Sequence, residues 1–197
     1  LEMCHSVDRV ITVSEPDRDA LVHHGAPSSK VSVVPHGVDL ESYDRGKELD
    51  LRQHLGIAPD RLVLLYHGIY SYGPNLEAVQ FLASDILPRL AARGRPACVV
   101  AIGPLPPEGP IHEDVIFTGA VDELAPYLTG GADAAVVPLL RGAGTRMKIL
   151  EYFAARLPVV ATTKAVDGIP LQHGVHALLA DSGDELTRHI LEVVDDP

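Results

Sequence analysis

The chain has few cysteines and no long apolar run, and both absences exclude classes of protein. Its 197 residues include only two cysteines, Cys4 and Cys98, which lie far apart with no Cys or His nearby at metal-ligand spacing. A disulfide scaffold or a zinc site is therefore not expected. No apolar stretch approaches the ~20 residues of a membrane span, and the first residues do not form a basic-then-apolar signal peptide. We expect a cytoplasmic protein with no transmembrane segment.

Positive charge is also scarce. Lys and Arg number 16 against 27 Asp and Glu, which gives a formal net charge of −11. This balance argues against nucleic acid or an anionic membrane surface as a partner. Hydrophobic residues make up 46% and charged residues 22%, as in an ordinary globular domain. Against this acidic background, Arg141, Arg146 and Lys148 form a local cluster of cations.

The cationic cluster belongs to a pattern of strand, glycine turn and helix. Residues 134–140 are apolar and lead to Gly142-Ala143-Gly144, after which apolar positions recur at helical spacing from Thr145 until Pro158 stops the helix. Small residues let a ligand approach the backbone closely. The free N–H groups at the start of a helix favour an anion such as a phosphate. The pattern therefore predicts an anion site at the start of this helix.

Three polar side chains of the predicted helix lie close together in sequence. Lys148 and Glu151 are three residues apart and share one face, while Arg146 falls in the first turn. A cation at a helix start opposes the helix dipole and costs about 0.3–1 kcal/mol, so two cations there favour a polyanion between them. Glu151 could then accept the paired hydroxyls of a ribose. The alternative is a solvated surface helix that carries these charges by chance.

The rest of the chain alternates apolar strands with helices. The helices include one capped by Ser14, one capped by Asn75 and one capped by Asp184. This order predicts an α/β fold with a Rossmann-like open parallel sheet, helices on both faces, and a ligand site beyond the carboxyl ends of the strands. The predicted strands cover residues 10–13, 31–34, 62–66, 97–102, 115–118, 134–139, 159–161 and 176–179.

The motifs on this framework resemble those of a known family in order and in spacing. Residues Gly142 to Thr162 match the donor-site signature G-x-G-T-R-x-K-I-L-E-x-x-A-x-x-x-P-V-V-A-T. This signature is typical of the retaining nucleotide-sugar glycosyltransferases of family 4, group 1 glycosyl transferases with the two-domain GT-B fold. Other segments similar to the family are Val33–Asp39, Gly73–Val79, Phe117–Val121, Gly168-Ile169 and His173–Leu179.

The resemblance implies a division of the chain into three parts. Residues 1–40 would be a strand-helix-strand remnant of the N-terminal acceptor domain, residues 41–60 a linker, and residues 61–197 the C-terminal donor-binding domain without its final helices. The chain would then be one half of a GT-B fold, preceded by that remnant. The missing part would supply acceptor binding, some of the catalytic machinery and any peripheral membrane contact. We therefore expect the chain alone to bind donor and to transfer nothing.

The family's chemistry is hexosyltransferase-type transfer, with retained configuration, from a nucleotide-diphosphate sugar to a carbohydrate, lipid or small-molecule acceptor. The catalytic residues stay unknown because part of them would lie outside this chain. The resemblance implies no cofactor and no metal, and no Asp-x-Asp pair follows a strand. By the same resemblance, the diphosphate would contact Gly68, Gly144, Thr145, Arg146 and Lys148, the ribose Glu151, and the base the backbone of Ala120 and Val121.

Two positions depart from the family pattern. Ala143 stands where most members carry a Glu that touches the donor sugar, so recognition of that sugar must come from other groups. Gly68 is followed by Ile69, whereas the family has an Arg that is paired with a Lys further along. Arg146 and Lys148 are the expected replacements for that charge. Tyr70, Ser71 and Tyr72, in the same loop, either line the cleft between domains or pack within the turn.

Three other functions fit parts of the pattern. A nucleotide-sugar epimerase of the same fold would release a new free sugar from donor without any acceptor, and Ala143 keeps this alternative open. A non-catalytic module would bind nucleotide and transfer nothing even at full length. A dinucleotide oxidoreductase is disfavoured, because residues 68–73 do not form G-x-G-x-x-G and no acidic residue ends the strand at Ile102.

Overall fold

The computed structural model describes residues 2–44, 49–142 and 144–196. Two short strands near the amino end, β1 (Val10–Thr12) and β2 (Val31–Val33), form a parallel pair. A second sheet contains six parallel strands in the order β5-β4-β3-β6-β7-β8. Its strands are β3 (Leu62–His67), β4 (Ala97–Ile102), β5 (Val115–Gly119), β6 (Ala134–Val137), β7 (Val159–Ala161) and β8 (Leu178–Leu179).

Continuous apolar runs form the central strands of this sheet because both of its faces are covered. Every residue of β4, β6 and β7 is buried, and in β3 only His67 is partly exposed. Such runs are typical of parallel strands packed between two layers of helices. The predicted bounds of β4 and β7 are confirmed, whereas the strands expected at 134–139 and 176–179 are shorter in the structure.

The helices pack on both faces of the six-stranded sheet. Helices α6 and α9 contact each other on one face. Helix α8 connects the parallel strands β6 and β7 and contacts β7, and the right-handed rule for such crossovers puts it on the opposite face. The helices are α1 (Glu2–Ser6), α2 (Glu15–His23), α3 (Leu40–Asp44), α4 (Leu51–Leu55), α5 (Gly73–Phe81), α6 (Leu87–Ala92), α7 (Ala125–Leu128), α8 (Met147–Ala154) and α9 (Gly183–Asp195), with a π-helical turn at Leu82–Ile86 and 3-10 turns at Ser28–Lys30 and Thr163–Val166.

The helix starts agree only in part with the predicted caps. Ser14 caps α2 as predicted, and its hydroxyl accepts the N–H of Asp17 at 3.3 Å. The prediction for α9 was wrong, because Ser182 rather than Asp184 accepts the N–H of Glu185 at 3.3 Å. The prediction for α5 was also wrong: this helix begins at Gly73, which leaves the Asn75 side chain free for contacts elsewhere.

The segment predicted as a linker packs against the larger sheet where the structure describes it. Residues 45–48 lie outside the described part, and helices α3 and α4 flank them. Leu51 is fully buried, and its N–H donates to the carbonyl of Gly130 at 2.9 Å. Arg52 forms an ion pair with Asp133 at 2.8 Å. These contacts join α4 to the segment that leads into β6.

The order of the strands creates a crevice at one edge of the sheet. From β3 the chain proceeds to β4 and then β5, whereas from β6 it proceeds the other way to β7 and β8. Because β3 and β6 are neighbours, the loops that follow them diverge at their carboxyl ends. A ligand fits at such a point in an open parallel sheet. The sequence motif that begins at Gly142 follows β6 and lies there.

Candidate functional site

The loops after β3 and β4 approach each other closely beside this crevice. The N–H of Gly68 donates to the carbonyl of Ile102 at 2.9 Å. Gly103 has a φ of 134°, and a Cβ there would collide with the carbonyl oxygen of Gly68. A Cβ at Gly68 would lie 2.6 Å from the Asn75 side chain. Both positions therefore need glycine for the loops to pack in this way.

Lys148 lies in the first turn of α8 and points toward β3. Its Nζ donates to Asn75 Oδ1 at 2.9 Å and sits 3.9 Å from the centre of the Tyr66 ring. Burial lowers the pKa of Lys148 from 10.5 to about 7, with Glu151 acting to raise it and Arg146 to lower it. Among the described residues, no carboxylate forms an ion pair with this ammonium group.

Asn75 holds this ammonium group in place. Its Oδ1 also accepts the hydroxyl of Tyr66 at 2.7 Å, and its Nδ2 donates to the carbonyl of Ile69 at 2.9 Å. One side chain thus joins strand β3, the loop after it and helix α8. This role gives no local sequence signal, because the position of Asn75 near a helix start predicts a cap instead.

Arg146 occupies the position that precedes α8, rather than its first turn as predicted. The residue is 8% exposed, and its Nη1 donates to the carbonyl of Gly144. Its Nη2 and the Tyr72 hydroxyl each lie beside Gly142, and Nη2 is buried without a hydrogen-bond partner in the described part of the chain. The hydroxyl of Thr145 is also buried, and no described residue forms a hydrogen bond with it. A buried guanidinium with an unused donor is costly unless a ligand pairs with it.

Glu151 follows one turn later on α8 and faces the end of β3. Its Oε2 lies 3.2 Å from Nε2 of His67, although the contact is outside hydrogen-bonding geometry, so Nε2 has no hydrogen-bond partner. The contact with His67 lowers the pKa of the Glu151 carboxyl, against the opposing effect of burial. Burial lowers the pKa of His67, so its ring is neutral near pH 7. An ionised carboxylate therefore faces an uncharged imidazole.

A cavity of about 340 Å³ opens next to His67 at the carboxyl ends of β3, β4 and β5. Its walls are mostly apolar and include the predicted base-binding residues Ala120 and Val121. The predicted phosphate-binding Gly68 lines the same cavity. The lining residues are His67, Gly68, Ile69, Ile102, Gly103, Pro104, Ala120, Val121 and Leu124. This cavity is large enough for a planar heterocycle.

The structure therefore brings the predicted site residues to one edge of the sheet, in two adjoining groups. Arg146, Lys148 and Glu151 lie at the start of α8, and the cavity residues lie beyond His67, which touches both groups. Gly144 is exposed beside Arg146. Ala143 lies outside the described residues.

Two tyrosines of the loop after β3 have different surroundings. Tyr70 is 3% exposed and packs edge-on against Phe117, with ring centres 4.9 Å apart, so it belongs to the turn packing. Tyr72 is half-exposed, and its hydroxyl reaches the vicinity of Gly142 and Arg146. Tyr70 therefore packs within the turn, whereas Tyr72 is exposed at the crevice.

The chain matches the family described as Glycosyl transferases group 1 over residues 61–196, the part that contains the whole six-stranded sheet. It belongs to this family. Residues 1–42 match a second family, described as Glycosyltransferase Family 4. The two matches lie on either side of residues 43–60.

Similar proteins with names that state an enzyme activity match most of this chain. The D-inositol 3-phosphate glycosyltransferase of Geodermatophilus obscurus is 30% identical over 90% of the chain, which spans 43% of that protein. The alpha-monoglucosyldiacylglycerol synthase of Streptococcus pneumoniae is 28% identical over 80% of the chain, which spans 38% of that protein. The chain thus spans less than half the length of these relatives.

Among solved structures, Anabaena HepE in complex with UDP is similar in fold. The TM-score is 0.72 at 20% sequence identity, over 96% of this chain and 55% of that one. This likeness confirms the predicted α/β fold with a parallel sheet. Within the described residues, no helix is long and apolar enough to cross a membrane. The same part of the chain contains no group of three or more His, Cys, Asp or Glu that could hold a metal ion.

Proposed function

We propose that this chain binds the nucleoside diphosphate part of a nucleotide sugar. In the full-length protein, the sugar then passes to an acceptor with retention of configuration. Arg146, Lys148 and the N–H groups of Gly144 and Thr145 hold the diphosphate, and Glu151 accepts hydroxyls of the ribose. The base occupies the cavity beside Ala120 and Val121.

The proposal rests on two cations that have no carboxylate partner among the described residues. They lie at the crevice between the loops after β3 and β6, where the strand order reverses. The guanidinium of Arg146 is buried with Nη2 unused, and the ammonium of Lys148 has only the neutral Asn75 as a hydrogen-bond acceptor in the described part of the chain. Buried cations are normally paired. A diphosphate supplies the missing negative charge and several acceptor oxygens.

These two cations also account for the chemistry without a metal ion. Transfer of the sugar leaves negative charge on the departing diphosphate, and fixed cations stabilise charge that develops in a transition state. Acceptor binding and the remaining catalytic groups belong, in this proposal, to a part of the protein beyond this chain. The chain by itself therefore binds donor nucleotide and transfers no sugar.

Calorimetric titration of the chain with UDP, GDP, dTDP and ADP tests the proposal. The neighbour solved with UDP makes UDP the first choice. We expect one nucleotide to bind selectively and Glu151→Ala to weaken that binding by about ten-fold or more, because a charge-assisted hydrogen bond contributes about 1.5–3 kcal/mol. Absence of binding to all four nucleotides would overturn the proposal.

A nucleotide-sugar epimerase is the second candidate, and Ala143 is the observation that favours it. This position lacks the carboxylate that most similar glycosyltransferases direct at the donor sugar. Incubation of the full-length protein with donor and no acceptor separates the two functions. An epimerase releases a new free sugar under these conditions, whereas a transferase needs the acceptor for turnover.

A further inference from the structure

Among the described residues, three polar atoms at the carboxyl edge of the sheet are buried without a hydrogen-bond partner. Two of them belong to Thr145 and Arg146, which already have a place in the proposed diphosphate site. The third is Nε2 of His67, a residue that the sequence did not single out. A buried polar atom without a partner is rare in a native structure and calls for a specific explanation.

The His67 ring is held in one orientation by its surroundings. The residue ends β3, and its backbone N–H donates to the hydroxyl of Tyr152 at 2.9 Å. The imidazole packs edge-on against the Tyr152 ring, with ring centres 5.0 Å apart and planes at 76°. The side chain is 13% exposed. Nε2 therefore has a fixed direction, as expected of an atom that serves recognition.

His67 lies between the two halves of the proposed nucleotide site. On one side it lines the cavity that contains Ala120 and Val121, and on the other its Nε2 lies 3.2 Å from the carboxylate of Glu151. In a nucleotide, the ribose connects the base to the phosphates. A ribose that joins a base in the cavity to a diphosphate at Arg146 therefore passes His67.

The two facing groups match what a sugar hydroxyl needs. A hydroxyl has one proton to donate and lone pairs to accept with, an ionised carboxylate only accepts, and a neutral imidazole donates through one ring nitrogen. The ring of His67 is neutral because burial lowers its pKa, and the carboxyl of Glu151 is ionised. The carboxylate that faces Nε2 favours the tautomer with the proton on that atom.

We propose that His67 is a ribose-recognition residue, whose Nε2–H donates to the same hydroxyl that donates its own proton to Glu151. The inference rests on the proposed function, because it requires a nucleoside diphosphate in the site. It adds a specificity determinant to that function: the protein selects ribonucleotides over deoxyribonucleotides through a pair of side chains, one a donor and one an acceptor.

Binding of three ligands to four proteins tests this role. Kd is measured for UDP, 2′-deoxy-UDP and 3′-deoxy-UDP with the unmodified chain and with His67→Phe, His67→Gln and His67→Asn. Phe keeps the ring against Tyr152 and removes both nitrogens. Gln can place an amide N–H near the position of Nε2, whereas the shorter Asn cannot. Thermal unfolding of each variant checks that it folds.

We expect the unmodified chain to prefer UDP over at least one deoxynucleotide by about ten-fold or more. In His67→Phe and His67→Asn that preference falls by about three- to ten-fold, because one neutral hydrogen bond to the hydroxyl is lost, and His67→Gln retains most of it. A general loss of structure would weaken all three ligands equally and leave the preference unchanged.

The outcomes separate this inference from the function on which it rests. If the chain binds UDP and the preference is the same in all variants, the role of His67 is overturned and the nucleotide site stands. If the chain binds none of the three ligands and no other nucleoside diphosphate, both fail. If His67→Phe does not fold, the test compares His67→Gln with His67→Asn. An equal preference for UDP over the deoxynucleotides in these two variants overturns the role of His67.

Discussion

Cations at the two ends of the larger sheet, most of them only partly buried, differ in whether a carboxylate neutralises their charge. At the amino end, Arg52 pairs with Asp133 at 2.8 Å, and the same carboxylate accepts the N–H of Val63 at 2.6 Å. Arg61 pairs with Asp114 at 2.5 Å. At the carboxyl end, Arg146 and Lys148 have no ion-pair partner among the described residues.

We interpret the carboxylate partner, rather than the charge itself, as what distinguishes a structural cation from one that binds a ligand in the proposed function. Each arginine at the amino end joins two chain segments and has its charge neutralised within the fold. Among the described residues, the cations at the carboxyl end have no carboxylate partner and face a crevice. We therefore expect substitutions at the amino end to lower the free energy of unfolding, and substitutions at the carboxyl end to change the affinity for nucleotide.

The largest effect on folding is expected from Asp133→Ala at the amino end. The change leaves Arg52 without its carboxylate and the N–H of Val63 without its acceptor. We expect the free energy of unfolding to fall by about 2–4 kcal/mol, below the full value for a buried pair because both side chains are 26% exposed. Urea unfolding measures the loss.

The exposed pair Arg18–Glu15 provides a control for Asp133→Ala. Its side chains are 38% and 68% exposed, so Glu15→Ala should change the unfolding free energy by less than about 1 kcal/mol. The folded Asp133→Ala protein should bind nucleotide with normal affinity. A loss of affinity in a stable Asp133→Ala protein would contradict the separation of the two ends.

The next largest effect is a loss of nucleotide affinity, which we expect from Arg146→Ala. Removal of the guanidinium should weaken nucleoside diphosphate binding by about ten- to a hundred-fold, because charge-assisted hydrogen bonds to the phosphates are lost. Stability should not fall, since the guanidinium has no carboxylate partner in the described structure. Calorimetric titration and thermal unfolding measure the two quantities.

Arg141 provides a matched control on the same loop. It is 64% exposed and pairs with Glu77, so Arg141→Ala should change the affinity by less than about three-fold. Equal losses for the two arginines would mean that general positive charge, rather than the buried guanidinium, attracts the ligand. Unchanged affinity in a folded Arg146→Ala protein would remove Arg146 from the site.

The smallest effect is a gain of stability in Lys148→Met. In the free protein, burial lowers the pKa of Lys148 to about 7 from an ordinary value of 10.5, so the charged form opposes folding. The unbranched Met fills similar space without the charge, and we expect a gain of about 1–2 kcal/mol at pH 7 together with weaker nucleotide binding. Thermal and urea unfolding measure the gain.

The pH dependence of this gain has a definite sign. Between pH 7 and about 10.5 the unfolded chain holds more protons on Lys148 than the folded chain does, so the unmodified protein gains stability as the pH rises. The advantage of Lys148→Met should therefore be largest below pH 7 and shrink toward pH 10. Loss of stability in Lys148→Met at neutral pH would show that the ammonium group is a structural cation after all.

Local sequence patterns were sufficient to predict most strands of the sheet and the segments that form the candidate site. The apolar runs at Ala97–Ile102 and Val159–Ala161 match β4 and β7 residue for residue, because a strand buried on both faces needs an unbroken run of apolar side chains. The glycine turn and the helix after it gave the position of α8. These signals are local, and a single sequence contains them in full.

Helix caps and individual site residues were less predictable. Ser182 and Asp184 are both good capping residues, and only the path of the chain into α9 selects Ser182. His67 gives no local signal, because its importance lies in a contact with Glu151 on another element. The role of Asn75 gives no local signal for the same reason, since its side chain accepts a hydrogen bond from Lys148 at a separation of 73 residues.

The sequence by itself determined the fold class, the succession of strands along the chain, and the family to which the chain belongs, because apolar periodicity and motif spacing are properties of neighbouring residues. Only the tertiary structure decided which cations are paired. Arg52 and Arg146 are the same amino acid, but the fold brings Asp133 to the first and an open crevice to the second. Pairing depends on where distant segments meet, and the electrostatic energy of a buried charge depends on that distance and on its solvent access.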